Sequence, residues 1–236
     1  MPATINLQQT ILWTGPFVRY QPLVIGGTEP SMSNANLIKQ TILGAPFTWP
    51  WNRAETAPIN CIVGTQDYAA ALPTFGFIEK AWLEDPVSHE VKEISLKNGL
   101  SKDSTKGRPG HISVQNDNGA GNITFHLMPA PDKAYILTVL FQQKAIVMSS
   151  LANRWDPIPD ELGYIYQYGF LALSMMITGD ARFPIFNDRF VAHLLGAQDG
   201  LDETQKNIFI ANWTDYTKQV LRAQITPQQG IQSRGR

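Results

Sequence analysis

The sequence is poor in cysteine and in charge. Cys61 is the only cysteine among 236 residues, so an internal disulfide is excluded, and its position in the apolar run Ile59–Val63 predicts a buried structural thiol. The 19 basic and 20 acidic residues give a net charge of −1, which offers no overall attraction for nucleic acid. Charged residues make up 17% of the chain, below the roughly 25% of typical soluble domains. We therefore expect a surface that is largely uncharged or covered by partners.

Long apolar runs and a secretory pattern are also missing. No window of about 18 apolar residues occurs, so neither a membrane-spanning helix nor a membrane partner is predicted. The first residues show no basic segment followed by an apolar stretch, which favours a soluble protein made inside the cell.

Catalytic and metal-binding motifs are absent as well. The chain has no Gly-x-Ser-x-Gly elbow, and Gly119–Asn122 joins two predicted strands rather than opening a helix as a phosphate-binding loop does. The histidines lie in separate segments without metal-binding spacing; they are His89, His111, His126 and His193. We therefore predict no cofactor, no metal ion and no catalytic residue.

The N-terminal residues 1–31 are interrupted by four prolines and three glycines. Such spacing forbids a long helix, although many of the remaining residues are apolar. We predict an extended N-terminal arm that packs on its own subunit or on a neighbour. A helix is expected next, with Ser33 as its N-cap and with Gly44 and Pro46 at its end.

Residues 58–144 have the pattern of a β module. Runs of β-branched and aromatic residues alternate with turn clusters every 8–12 residues or so, which is typical of an antiparallel sandwich or barrel. Ile59–Val63 and Tyr68–Leu72 flank a turn at residues 64–67 and predict a hairpin.

The period becomes helical after Lys144. Three helices are predicted: one after Pro159 that ends near Gly179, one over Ile185–Ala197, and one that begins near Asp202. The fold class is therefore α+β: a helical bundle of residues 32–57 and 145–222, made of one N-terminal and about three C-terminal helices, with residues 58–144 as an inserted antiparallel β-sandwich or barrel.

The last residues, 223–236, are rich in Gln, Gly and Arg and contain no acid. They offer too little apolar surface to offset the entropy of ordering, so we predict a flexible tail that orders only on a partner.

The stretch Ile123–Phe141 contains the best candidate for chemistry. Strand alternation places His126 on the wetter face beside Thr124, and Asp132 lies in a Pro-Asp-Lys turn. A hydrolase would need these two side chains to meet a third group, so we favour a surface or interface histidine at a structural corner. The strand from Tyr135 is apolar on both faces and is expected to be covered on both.

Five stretches follow one another in a characteristic order: GTQDY (64–68), FGFIEKAWL (75–83), GRP (107–109), ITFHLMPAPDKAY (123–135) and IPDELGYIYQYGFLALSMM (158–176). This order resembles the head-to-tail adaptor family of tailed bacteriophages, the tail tubular protein A type of short-tailed phages. The resemblance covers about residues 33–215. The residues that fit the family's hairpin, loop and strand corner are Gly64, Tyr68, Leu72, Pro73, Gly107, Arg108, Pro109, Leu127, Pro129, Pro131, Asp132 and Tyr135.

The resemblance implies a non-enzymatic structural virion protein, located in the neck or tail and assembled in the host cytoplasm. Family members form a ring of twelve copies below the portal protein. The ring extends the channel for double-stranded DNA and attaches the tail nozzle or the next tail protein. The C-terminal tail would reach the portal, and the candidate docking residues are Arg222, Gln224, Ile225, Gln228, Gln229, Ile231, Arg234 and Arg236.

Other functions remain open from the sequence. A tail completion or terminator virion protein shares small β modules but usually lacks long C-terminal helices. A β-sandwich that binds glycans would use Trp49, Trp51 or Trp82 as stacking platforms. A hydrolase would use His126 and Asp132.

Overall fold

The computed structural model describes residues 3–18, 24–25, 29–99, 105–117 and 121–225. The chain is a mixed α+β protein that divides into two compact units. The helical unit spans residues 1–42 and 147–236, and the β unit spans residues 43–146. No described helix is both long enough and apolar enough to cross a membrane.

The helical unit contains the α-helices of the described chain, apart from the last residue of the second. They are α1 (Leu7–Thr14), α2 (Ser31–Leu43), α3 (Gly163–Ile177), α4 (Phe183–Gly196) and α5 (Glu203–Ile225). Short 3-10 turns cover Gly15–Phe17 and Asp160–Leu162, and a two-stranded ribbon pairs β1 (Val24–Ile25) with β2 (Glu29–Pro30). The prediction of Ser33 as the N-cap of α2 is wrong, because the helix begins at Ser31 and Ser33 is its third residue.

The predicted extended arm is wrong for its first part, because residues 7–14 form α1. Asn6 caps this helix: its side-chain oxygen accepts from the Gln9 amide at 2.8 Å, and the Gln9 side chain accepts from the Asn6 amide at 2.9 Å. Prolines 2 and 16 leave room between them for two turns of helix. The reciprocal cap stabilises this short helix where composition alone predicts none.

The third predicted C-terminal helix begins as expected. The Asp202 side chain accepts a hydrogen bond from the Gln205 amide at 2.7 Å, and the Gln205 side-chain oxygen accepts one from the Asp202 amide at 3.2 Å. The helix is longer than predicted, however, because α5 continues to Ile225 and so includes the first residues of the predicted flexible tail.

Close packing around Gly169 fixes α3 against its neighbours. A β-carbon at this position would lie 2.8 Å from Ile38 Cδ1 of α2 and 2.9 Å from Phe190 Cδ2 of α4. Such contacts are too short for real β-carbons, so only glycine lets the three helices approach this closely.

Lys39 is an unusual member of this interior. It lies on α2, is almost completely buried, and has Asp156 as a nearby opposite charge. Burial, opposed in part by Asp156, lowers the pKa of the Lys39 amine from 10.5 to about 8. The charged amine is therefore less stable in the folded protein than in the unfolded chain.

We expect Lys39→Met to stabilise the protein at neutral pH. Below pH 8 the amine is charged in both states, so its desolvation penalty is fully present; the penalty fades as the pH rises from about 8 to 10.5. The gain should be about 1–2 kcal/mol at pH 7, in the range seen when buried ions are replaced by apolar residues. Urea unfolding of both proteins at pH 7 and pH 10 measures this, and an equal difference at the two values would contradict the role of the charge.

The β unit is built from ten strands in its described residues. They are β3 (Arg53–Glu55), β4 (Ile59–Cys61), β5 (Asp67–Ala71), β6 (Phe75–Glu84), β7 (Val91–Leu96), β8 (Lys106–Gly107), β9 (His111–Asp117), β10 (Asn122–Met128), β11 (Ala130–Pro131) and β12 (Tyr135–Gln143). Eight of them form one sheet in the order β3-β12-β6-β7-β9-β10-β5, with β4 also paired to β12. The sheet curls into a half-barrel.

Two expectations about strand pairing are corrected. The sheet is not entirely antiparallel, because β7 runs parallel to β9. The predicted hairpin is also wrong: its turn exists, with the Thr65 amide donating to Ile62 O at 3.0 Å, but β4 pairs with β12 and β5 pairs with β10. At this turn the chain therefore passes from β4, which pairs with β12 near one edge of the sheet, to β5 at the opposite edge.

The segment before β4 belongs to the β unit rather than to the predicted bundle. β3 pairs with β12, and Gln142 of β12 is fully buried beside Trp49. The Gln142 side chain accepts from the Trp49 amide and donates to the Trp49 carbonyl, both at 3.2 Å. These two bonds, together with the pairing of β3, attach residues 49–55 to β12.

The core of the β unit lies on one face of the sheet. It includes Phe75, whose ring centroid lies 6.1 Å from that of Phe125 and 5.4 Å from that of Phe141, with further apolar residues from β6, β9, β10 and β12. Along β12, alternate residues from Tyr135 to Phe141 are buried and those between are half-buried. We predicted that both faces of this strand are covered. One face is fully buried and the other is only partly buried.

Candidate functional site

The predicted pair of His126 and Asp132 is not formed. His126 is 3% exposed, contrary to the wetter face predicted for it. Its Nδ1 lies 2.6 Å from Asp67 Oδ1, across the β5–β10 pair. Asp132 instead accepts a hydrogen bond from the Tyr135 hydroxyl at 2.9 Å. The hydrolase hypothesis therefore loses the dyad on which it was based.

The described residues contain no group of three or more His, Cys, Asp and Glu side chains arranged to hold a metal ion. Cys61 is buried as predicted, and burial raises the pKa of its thiol to about 11. A thiol with such a pKa is protonated at neutral pH and is a poor nucleophile.

Three stretches that carry the family resemblance meet at one end of the β unit, and we call this arrangement the motif corner. Its residues are Gly64, Tyr68, Gly107, Arg108, Pro129, Pro131, Asp132 and Tyr135. β8 of the GRP stretch pairs in parallel with β11 of the proline corner, and the Asp132 amide donates to Gly107 O at 3.2 Å. The Gly64 amide donates to Pro131 O at 2.8 Å.

Tyrosine hydroxyls close this corner. Tyr68 donates to Thr65 O at 2.6 Å and so holds the turn before β5, while Tyr135 holds Asp132 as described above. Burial, followed by the hydrogen bond to Asp132, raises the pKa of Tyr135 to about 12. Both phenols thus act as neutral donors, which is a structural rather than a catalytic use.

Charged side chains surround the motif corner. Lys133 is hydrogen-bonded to Asp85 and holds the pKa of that carboxyl well below its usual value. Arg108 Nη1 lies 2.9 Å from Glu90 Oε1, whereas its Nε and Nη2 atoms are buried without a hydrogen-bond partner in the described structure. Unpaired buried donors are costly, and these two nitrogen atoms of Arg108 are donors that the described residues leave unused.

The helical unit carries a second candidate surface, which sequence reasoning did not identify. We call it the aromatic face, and it consists of Trp13, Phe17, Tyr164, Tyr168, Phe186, Arg189 and His193. Neighbouring rings contact one another from α1 across α3 to α4, with centroid distances of 5.1 to 6.5 Å. The Arg189 guanidinium lies over both Tyr168 and Phe186, at 5.9 and 5.6 Å from the ring centroids.

The aromatic face is open to solvent. Phe17 and Tyr164 are 38% and 39% exposed, and Arg189 and His193 are exposed as well. Aromatic and arginine side chains are the groups enriched at protein interfaces. The sequence signal was the repeated spacing of four residues in Trp13/Phe17, Tyr164/Tyr168 and Arg189/His193, which places each pair on one side of its segment.

The predicted glycan platforms are mostly enclosed. Trp49 is buried and contacts Trp51, with ring centroids 5.2 Å apart. Trp51 and Trp82 are half-buried. A stacking platform needs an open ring face, and Trp49 does not offer one.

Part of the candidate portal-docking tail lies on α5. The backbone of Arg222, Gln224 and Ile225 is helical, which corrects the prediction that the flexible tail begins at residue 223. The remaining candidates, Gln228, Gln229, Ile231, Arg234 and Arg236, lie outside the described residues.

Comparison with known proteins gives no family assignment. No protein-family model matches the chain, and no curated protein matches it significantly. The functional argument therefore depends on the residues and contacts described above.

Proposed function

We propose that this protein is a structural virion protein, a head-to-tail adaptor that docks below the portal, extends the DNA channel and attaches the tail. The observation that carries the proposal is the motif corner. Three stretches that resemble family motifs, separated by tens of residues in the chain, contact one another through backbone hydrogen bonds. Chance matches of short motifs have no reason to converge in this way.

The helices would form the ring. Subunits joined head to tail need two different complementary surfaces, and the aromatic face supplies one with a large apolar area. The exposed Ile208 and Tyr216 of α5, which lie eight residues apart and therefore on neighbouring sides of the helix, contribute to a second. In this arrangement the helices form the ring-making bundle, and the curled sheet is the inserted module that contacts the next tail protein. The number of about twelve copies comes from the family resemblance alone.

The length of α5 favours the adaptor over a tail completion or terminator protein. This helix has 23 residues, and it follows two further helices of 15 and 14 residues. Terminator proteins usually lack such a helical C-terminal part. Docking of the C-terminal residues on the portal, passage of double-stranded DNA and location in the neck of the virion complete the proposal.

Electron microscopy of the purified full chain, alone and mixed with the portal protein encoded by the same genome, tests this function. We expect rings, or a complex in which the portal ring carries an added layer. A protein that forms no ring and does not co-migrate with the portal would overturn the proposal. A monomer alone would not, because assembly can require the portal as a template.

A double substitution tests the aromatic face within the same experiment. We expect Phe17→Glu combined with Tyr164→Glu to abolish ring formation. Each carboxylate would lose its hydration at the contact between subunits, which should lower the association constant about tenfold or more. Native mass spectrometry measures the oligomer, and far-UV circular dichroism checks the monomer. Val87→Glu is the matched control, because Val87 is 86% exposed in the β unit. Intact rings with the double variant would remove the aromatic face from the interface.

A further inference from the structure

One strand position of the curled sheet is only half filled by the described chain. β7 lies between β6 and β9, and its residues 91–94 pair with residues 81–84 of β6. At Ser95–Leu96 the strand leaves β6 and pairs in parallel with the start of β9. Among the described residues, no strand then pairs with residues 75–80 of β6 on the side away from β12, or with residues 113–117 of β9 on the side away from β10.

A cavity occupies this open strand position. Its volume is about 410 Å³. The first residues of β6, the end of β7 and the middle of β9 line it, so strand edges with outward-facing N–H and C=O groups border it on both sides. An extended polypeptide is the chemistry that satisfies two facing strand edges at once.

The hydrophobic core is uncovered at the same place. Val114 pairs with Phe125, which is completely buried, and it lies on the same side of β9 as the buried Ile112. Val114 is nevertheless 37% exposed. A core-facing residue with this exposure indicates that a covering side chain is missing at the open strand position.

Polar groups in the cavity also lack partners. Ser113 is 5% exposed, lines the cavity, and its hydroxyl has no hydrogen-bond partner in the described structure. Lys97 lines the cavity and is exposed, and it takes part in none of the ion pairs found within the described residues. The site therefore offers a buried hydroxyl and, within the part of the chain that the structure describes, a cation without an ion-pair partner, in addition to the two strand edges.

We propose that the open strand position binds an extended segment of a partner protein, with apolar side chains at alternate positions and an acidic side chain that faces Lys97. Its backbone pairs with β6 and β9, and one apolar side chain covers Val114. The chain's own residues 226–236 do not fit, because they contain two arginines and no acid. The proposal does not depend on ring formation.

Hydrogen–deuterium exchange of the full-length protein gives the first test. We expect alternate amides in residues 75–80 and 113–117 to exchange rapidly in the free protein, and to be protected by a seven-residue peptide of alternating valine and threonine that ends in aspartate. The same peptide with proline at its centre is the control, because proline cannot donate to a strand. Amides that are already protected without peptide would overturn the proposal, since another part of the chain would then fill the position.

Fluorescence anisotropy of the labelled peptide gives the second test. Val114→Glu should weaken binding about tenfold or more, because it places a charge where an apolar side chain is buried. Lys97→Glu should weaken it about two- to fivefold, as expected for an exposed ion pair, and should favour a peptide that ends in lysine. Val63→Glu, at an exposed valine outside the cavity, should leave binding unchanged.

Three results would overturn the inference. They are the absence of saturable binding to the wild-type protein, equal effects of Val114→Glu and Val63→Glu, and tighter binding of a peptide with the sequence of residues 226–236. Both assays use dilute protein and report on single sites. Peptide binding can therefore be absent although rings form, or present although rings do not form, so the two proposals are tested separately.

Discussion

Replacing Trp155 by alanine is expected to lower the free energy of unfolding of the helical unit by about 3–5 kcal/mol, the usual range for a buried tryptophan. Trp155 is fully buried and lies flat on Tyr166 of α3, with ring centroids 4.3 Å apart and an interplanar angle of 7°. Its indole nitrogen donates to Thr10 Oγ1 of α1 at 2.9 Å. One side chain thus joins α1 to α3, and its loss leaves both a cavity and a broken hydrogen bond.

The conservative variant Trp155→Phe separates these two contributions. It keeps a ring on Tyr166 but removes the N–H donor, so we expect a loss of about 1–3 kcal/mol, from the hydrogen bond and the smaller ring together. Guanidinium denaturation followed by circular dichroism at 222 nm reports on the helices. A loss below about 1 kcal/mol for Trp155→Ala would contradict the packing described here.

Gly121→Ala should destabilise the β unit by about 2–5 kcal/mol. Gly121 has a φ of +86°, and a β-carbon there would lie 2.4 Å from Pro73 Cα. The left-handed conformation costs alanine about 1–2 kcal/mol, and displacement of the backbone at residue 73 adds about 1–3 kcal/mol. The hydrogen bond from the Leu72 amide to Gly121 O, at 2.6 Å, would be disturbed as well.

Gly99→Ala provides the matched control for backbone strain. Gly99 has a φ of +102°, and a β-carbon there would meet no atom of the described residues within 4 Å. We expect a loss of about 1–2 kcal/mol from the conformation alone. Thermal unfolding of both variants, followed by tryptophan fluorescence, gives the comparison. Equal losses would mean that the close approach to Pro73 has no energetic consequence.

The sequence predicted those elements whose signals are local. The cap at Asp202, the breakers after α2 and the alternation along β12 each lie within a few residues, and each locates an element closely. Helix α1 was missed because a proline-rich composition outweighed the reciprocal cap of Asn6 and Gln9. The boundaries of the β module were displaced because residues 49–55 join it through Gln142, a contact between positions far apart in the sequence.

Strand pairing could not be derived from local patterns. β4 and β5 have the spacing of a hairpin, yet their partners are β12 and β10, and this choice depends on the whole sheet. The prediction that His126 lies on the wetter face was wrong for the same reason, because the burial of a strand residue depends on the elements that pack over the strand. The residues of the motif corner were named from the sequence, but their contacts became visible only in the structure.

β6 and β12 use different numbers of residues along the stretch where they pair, and this difference accompanies the curl of the sheet. From Phe75 to Ala81 β6 advances six residues (81 − 75), while its partner β12 advances only four, from Gln143 to Val139 (143 − 139). The two additional residues fall at the register shifts of this pair, and a β-bulge bends the strand that contains it. β6 therefore uses a longer stretch of chain than β12 along this pair. Deleting one residue between positions 75 and 81 would shift the alternation of the β6 side chains by one residue, so the pairing depends on the length of β6 as well as on its side chains.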